Sequence, residues 1–161
     1  MSVHERPGAS DEWYTPPHVF AAMGTHFDMD VAHPGLHVLD WVPANKILTA
    51  DSLSQPWDGF IWMNPPFGGR NAIVPWLQKF FDHGNGVALV PDRTSAPWWQ
   101  DFAPRAHAAL MVRSKIKFIP GSGVRASSPA QGTTLLAVGF DGETALDMAR
   151  SVGLGSLWRP A

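Results

Sequence analysis

The chain has 161 residues, 45% hydrophobic and 16% charged, with a formal net charge of −2. That is enough for one domain around one core, and too apolar for a disordered chain. There is no cysteine, which excludes disulfides and thiolate metal sites and fits a reducing compartment. No apolar stretch approaches the ~20 residues of a membrane span. The opening MSVHERPGASDEW lacks the apolar centre of a signal peptide, so a cytoplasmic protein is expected.

Residues 1–10 are small and polar and read as a flexible N-terminal tail. Residues 11–161 read as one domain. Thr15 stands before Pro16 and Pro17, so a helix capped by Thr15 is expected from Pro17 to about Met23, closed by Gly24. FDMDVA, Phe27 to Ala32, alternates apolar and acidic residues and predicts a strand. His37 to Val42 and Lys46 to Thr49 predict two more, separated by Pro43.

Gly59 to Met63 predicts a buried strand. Ile73, Val74, Leu77, Phe80 and Phe81 recur at helical spacing, which predicts an amphipathic helix from Asn71 to about His83, ended by Gly84 and Gly86. Gly86 to Val90 is another buried strand. Pro97 to about Phe102 reads as a short helix and Ala108 to Val112 as a strand, with Lys117 to Ile119 continuing or following it. Pro120 to Gly132 is rich in Gly, Ser and Pro and reads as a loop. Thr133 to Phe140 predicts a strand and Glu143 to Val152 a terminal helix. Strands alternating with helices imply an α/β sheet with helices on both faces. Sites in such sheets lie beyond the carboxyl ends of the strands, where Asp30 and Asn64 both fall.

The stretch with the sharpest chemical content is GFIWMNPPFGG, Gly59 to Gly69. Neither Pro65 nor Pro66 has an N–H for a sheet ladder, so the chain leaves the sheet at Asn64. The Asn64 side-chain carbonyl and the Pro65 carbonyl are two acceptors on a stiff backbone, suited to one NH₂ group. Phe67 can lie over a ring that carries this NH₂, and Gly68 and Gly69 leave room for close approach. Such an arrangement would favour the geometry in which an exocyclic amine attacks a methyl donor. The simpler reading is a proline turn with a core Phe.

More of the chain agrees with the chemical reading. NPPF after an apolar strand resembles the Asp/Asn/Ser-Pro-Pro-Tyr/Phe/Trp motif of amino-methyltransferases that use S-adenosylmethionine. DEWYTPP at Asp11 to Pro17, FDMD at Phe27 to Asp30, TADSL at Thr49 to Leu53 and KFIPG at Lys117 to Gly121 resemble, in order, the landmarks of the phage-type DNA N6-adenine methyltransferases, the phage Dam family. The resemblance implies a Rossmann-like methyltransferase sheet with helices on both faces. It implies transfer of a methyl group from S-adenosylmethionine to N6 of adenine in DNA. Matched residue by residue, it makes Asn64, Pro65, Pro66 and Phe67 the catalytic loop. Trp13, Tyr14, Thr15 and Pro16 become the segment that closes over the cofactor. Asp30 becomes the acid near the methionine part and Asp51 the acid near the adenine. A phage or prophage origin in a bacterial host follows from the resemblance alone.

The sequence departs from the pattern at MDVAHP, where Val31 takes the place of a proline, and in lacking a glycine-rich FxGxG loop. About 28 residues separate Asp30 from Gly59, so an abbreviated cofactor half is expected. Two alternatives stay open on these residues. One is the same chemistry on an RNA base or a protein glutamine amide; the other is a catalytically degenerate fold that binds nucleic acid.

Arg93, Arg105, Arg113, Lys115, Lys117 and Arg125 cluster in sequence. Arg113, Lys115 and Lys117 alternate, which would place them on one face of a strand, and with Arg125 they are the candidate contacts to DNA phosphates. The alternative is a solvated face. Trp98 and Trp99 read as anchors of a helix to the sheet, or as a DNA-facing edge. His26, His33 and His37 lie near Asp28, Asp30 and Asp40 but match no metal-binding spacing, so no metal is expected.

Overall fold

The computed structural model describes residues 13–66, 69, 71–120 and 132–160. The expected tail, Phe67, and Arg125 with most of the Pro120–Gly132 loop lie outside the described residues. The element order is β1 (Trp13–Tyr14), α1 (Pro17–Met23), β2 (Phe27–Asp30), β3 (Ala44–Ile47), β4 (Ile61–Met63), α2 (Val74–His83), β5 (Gly86–Pro91), α3 (Pro97–Phe102), β6 (Ala108–Val112), β7 (Ile119–Pro120), β8 (Thr133–Val138), α4 (Phe140–Ser151) and β9 (Gly155–Trp158). Single-turn 3₁₀ segments cover Ser52–Ser54 and Ala103–Arg105.

Seven strands form one sheet in the order β3-β2-β4-β5-β8-β6-β9. β3, β2, β4 and β5 run parallel. β8 is antiparallel to both β5 and β6, so β6 runs with the parallel set, and β9 is antiparallel to β6. β1 and β7 pair antiparallel outside the sheet, Tyr14 opposite Ile119.

Both faces of the sheet are covered, which is why its central strands are apolar throughout rather than alternating. Met29, Ile61, Met63, Ala88, Val90 and Leu136 pack with Leu77 and Phe80 of α2 and Trp99 of α3. Phe27, Trp62, Val87, Leu89, Leu135 and Ala137 pack with Phe20 of α1 and Leu146 of α4 on the other side. Trp99 is buried in the first of these clusters and Trp98 packs against it, as expected for helix anchors. Mixed α/β architecture with helices on both faces therefore matches the sequence reading.

The helices begin where proline presets φ. α1, α2 and α3 each carry Pro in their first turn, and α1 and α2 stop at Gly24 and Gly84 in the left-handed conformation. Gly86 has a different duty. A Cβ there would stand 2.6 Å from the Ile61 carbonyl oxygen and 2.7 Å from Ile61 Cγ1. Gly86→Ala is expected to cost about 2 kcal/mol by overpacking. Its thermal midpoint should fall by roughly 4–8 °C, and an unchanged midpoint in a thermal melt would contradict this packing.

Several expected elements differ. His37–Val42 is no strand. Gly35 adopts φ +114°, its carbonyl accepts from the N–H groups of Val38 and Leu39, and the chain turns. The next strand is Ala44–Ile47 rather than Lys46–Thr49. Thr15 does not cap α1; Pro16 holds the N-cap position and, as a proline, has no side-chain acceptor to cap with, while the Thr15 hydroxyl oxygen accepts from Asn64. α2 starts three residues later than expected, since Asn71 is left-handed at φ 64° and residues 71–73 form a turn. β9 was not expected at all. Finally, Arg113, Lys115 and Lys117 do not lie on a strand. β6 ends at Val112, and Ser114 at φ 63° bends the chain away from Arg113. Beyond the bend, Lys115 and Lys117 are exposed and alternate with buried Ile116 and Phe118.

Candidate active site

The strand order reverses direction between β2 and β4. The chain goes from β2 outward to β3 on one side, then returns to place β4 on the other side of β2. At such a switch point the connections diverge and leave a crevice beyond the carboxyl ends. The crevice here is a cavity of about 560 Å³, within the range of small-molecule sites.

Asp30 is the last residue of β2 and lines this cavity while being only 2% exposed. Its Oδ1 accepts from the Ala32 N–H at 3.0 Å. Burial removes water from the carboxylate and raises its pKa from 3.8 to about 7, with the Ala32 bond opposing the shift. No salt bridge reaches Asp30 among the described residues.

Asp51 lines the same cavity from the connection between β3 and β4, with an exposed side chain. Its backbone is left-handed at φ 52°, a conformation aspartate tolerates. The turn after it is fixed from α2. Lys79 Nζ donates to the carbonyls of Ser52 at 3.2 Å, Leu53 at 3.0 Å and Gln55, and stands 4.8 Å over the Trp57 ring. The Trp57 indole N–H donates to the Ser52 carbonyl at 3.0 Å. One lysine and one tryptophan thus hold the wall that carries Asp51.

Asn64 follows the last residue of β4 and is half-buried at the cavity. Its Nδ2 donates to Thr15 Oγ1 at 3.1 Å. Pro66 lines the cavity, while Pro65 is buried and does not. Tyr14 and Thr15 line it as well, carried over the crevice by the β1–β7 pair. The Trp13 side chain lies outside what the structure describes, and Pro16 does not line the cavity. Pro16 serves α1 instead, its carbonyl accepting from the Val19 N–H at 3.2 Å.

The cavity therefore gathers Tyr14, Thr15, Asp30, Asp51, Asn64 and Pro66 from segments far apart in sequence. It also includes residues that sequence reading missed. His33 is buried there, and its Nδ1 accepts from the Gly35 N–H at 2.9 Å, which leaves the ring proton on Nε2. Burial lowers the His33 pKa, so the ring stays neutral at neutral pH. Trp76 of α2 also lines the cavity, its ring 6.4 Å from Trp57. The helical spacing of Trp76 with Phe80 was the available signal for it; nothing local marked His33 as a wall residue.

No lysine or arginine lines the cavity among the described residues, so its only formal charges are the two aspartates. Among the described residues no three His, Asp or Glu side chains are grouped to hold a metal ion. His26 bonds to Asn45 and His33 to Gly35, so these histidines face different neighbours.

No helix among the described residues is long and apolar enough to cross a membrane. No curated protein and no solved structure matches the chain. The family model of DNA N-6-adenine-methyltransferase (Dam) matches residues 3–141, far more than half of the 161 residues. With that match laid over an α/β sheet whose switch-point cavity carries Asn64 of the NPPF segment, the chain belongs to the Dam family, enzymes that methylate adenine in DNA.

Proposed function

We propose that the protein transfers a methyl group from S-adenosylmethionine to the N6 amino group of adenine in DNA, and that it does so as a single Rossmann-like methyltransferase domain with a shortened cofactor half. The observation that carries this reading is the meeting of Asp30 and Asn64 at the carboxyl ends of neighbouring parallel strands, in one cavity. The shortened half corresponds to the β2–β3 connection, which contains no helix.

The residues present fit the cofactor. The cavity has the volume for a nucleoside with an amino-acid tail. Among the described residues its formal charges are acidic only, which suits a cationic ligand. Asp30 would hold the ammonium of the methionine part, and Asp51 would face the adenosine. Tyr14 and Thr15 would close over the ligand, as part of the Trp13–Pro16 segment that the resemblance assigns to the cofactor. When bound, S-adenosylmethionine supplies an electrophilic methyl group on a sulfonium centre.

The rest is positioning. The Asn64 Oδ1 and the Pro65 carbonyl accept the two amine protons of adenine, which turns its lone pair out of conjugation. Phe67 supplies a face for the ring. The adenine must leave the duplex stack to arrive there. Asn64 is no base; the proton is lost after the amine has become cationic.

Lys115 and Lys117, with Arg113 and Arg125, are the proposed phosphate contacts. Lys115 and Lys117 stand out from the surface over buried Ile116 and Phe118. Reversing both charges is expected to weaken DNA binding about tenfold or more and to flatten its salt dependence by roughly two phosphates. Unchanged affinity and slope would remove these lysines from the interface. The cofactor part is tested by calorimetry on the protein alone. Saturable binding of S-adenosylmethionine, weakened by Asp30→Asn, is expected; absence of binding would contradict the reading and favour a degenerate fold.

A further inference from the structure

Thr15 stands one residue before the N-cap of α1, and its hydroxyl does not cap that helix. Instead its oxygen accepts from Asn64 Nδ2, across 49 positions of sequence. Thr15 is 2% exposed, and its backbone carbonyl accepts from the Trp41 indole N–H at 2.8 Å. Tyr14 on one side is held in the β1–β7 pair, and Pro16 on the other enters the rigid start of α1. Thr15 Oγ1 is thus a fixed point against which a side-chain amide can be set.

An asparagine amide has two faces of opposite character, a carbonyl that accepts and an NH₂ that donates. Only the carbonyl can receive an amine proton; an NH₂ set against an NH₂ puts donor against donor. With the oxygen turned to the target, the nitrogen must find an acceptor on the protein side, in a partly buried place. A buried donor left without one costs about 1–3 kcal/mol. We propose that Thr15 is a positioning residue for Asn64: its hydroxyl oxygen takes the Asn64 NH₂ and so presents the Asn64 carbonyl to the target amine. This inference rests on the catalytic role proposed for Asn64. It adds a duty of the Thr15 hydroxyl to the place of Thr15 in the strap over the cofactor, and makes Trp41 its support.

The test compares Thr15→Val, which keeps shape and removes the acceptor, with Thr15→Ser, which restores it. Thr15→Val should lower kcat about tenfold or more, with S-adenosylmethionine affinity within about threefold of the parent protein. Thr15→Ser should recover most of kcat. Trp41→Phe should move kcat the same way, by less. A second readout needs no ligand: the ¹⁵N-¹H signals of the Asn64 side chain, identified by their loss in Asn64→Ala. Thr15→Val should shift them and speed their exchange with water, and Thr15→Ser should not. Unchanged kcat and unchanged amide signals in Thr15→Val would overturn the proposal. So would a loss of cofactor affinity large enough to account for the lost rate. If Asn64→Ala itself keeps its activity, the role of Asn64 fails instead, while the amide signals still report whether Thr15 holds that side chain.

Discussion

Asn64→Ala is expected to lower turnover by about 10²–10³-fold, the scale lost when one preorganised polar partner of the reacting group is removed. The fold should survive. Asn64 is half-buried, and among its contacts it gives up the hydrogen bond to Thr15 Oγ1. That bond is worth about 1 kcal/mol, or roughly 2–4 °C in the thermal midpoint of a chain this size. The strand before it is held independently, since Ile61, Trp62 and Met63 pair with Gly86, Val87 and Ala88. The fall should appear in kcat, with cofactor affinity little changed, because the assigned contact is to the target amine. The measurement is steady-state methylation beside a thermal melt. Near-normal turnover in a folded Asn64→Ala protein would refute the catalytic role.

Asp30→Asn should have two opposed effects. In the parent protein burial raises the Asp30 pKa to about 7, against 3.8 for an ordinary aspartate. The folded state therefore binds a proton that the unfolded chain releases between those values. Its contribution to stability is fully present below pH 3.8, falls as pH rises, and is gone above about 7. A shift of that size corresponds to a few kcal/mol, on the order of 1.4 per unit. Asparagine carries no such proton, so Asp30→Asn should raise the thermal midpoint at pH 8 and flatten this part of the pH dependence. Binding of the cationic cofactor should move the other way. In the parent protein it should weaken as pH drops below about 7 and the carboxylate becomes neutral. In Asp30→Asn it should be weaker by about a hundredfold, the scale of a lost charge-assisted contact, and insensitive to pH over that window. Melts and calorimetry between pH 5 and about 8.5 check both. An Asp30→Asn protein that is less stable at pH 8 and binds the cofactor normally would contradict the account of this carboxylate.

Much of this architecture is legible before folding, for identifiable reasons. α1 and α3 were bounded correctly because proline opens each and, for α1, Gly24 closes it. β5, β6 and β8 read clearly because helices cover both of their faces and leave them apolar. The failures are those of non-local structure. HVLDWV alternates like a strand, but Leu39 is buried through a turn set by Gly35. GSLW has no pattern of its own; it becomes β9 only by pairing with β6.

The site divides in the same way. The NPPF segment and the two acids announced themselves by residue type, and the fold brings Asn64, Asp30 and Asp51 to one cavity. What local pattern does not carry is environment. Asp28 and Asp30 look equivalent in FDMD, yet Asp28 is exposed and bonds the Phe60 N–H at 2.7 Å, whereas Asp30 is closed over. The Thr15–Asn64 bond and the Lys79 clamp on the Asp51 wall join residues too far apart for any sequence window.

The most direct test of the central claim is methyl transfer itself. Purified protein is incubated with unmethylated DNA and methyl-labelled S-adenosylmethionine, and the DNA is then digested to nucleosides. Label in N6-methyladenine, lost in Asn64→Ala, is the expected result. Label in another nucleoside, or cofactor binding with no label entering DNA, would contradict it.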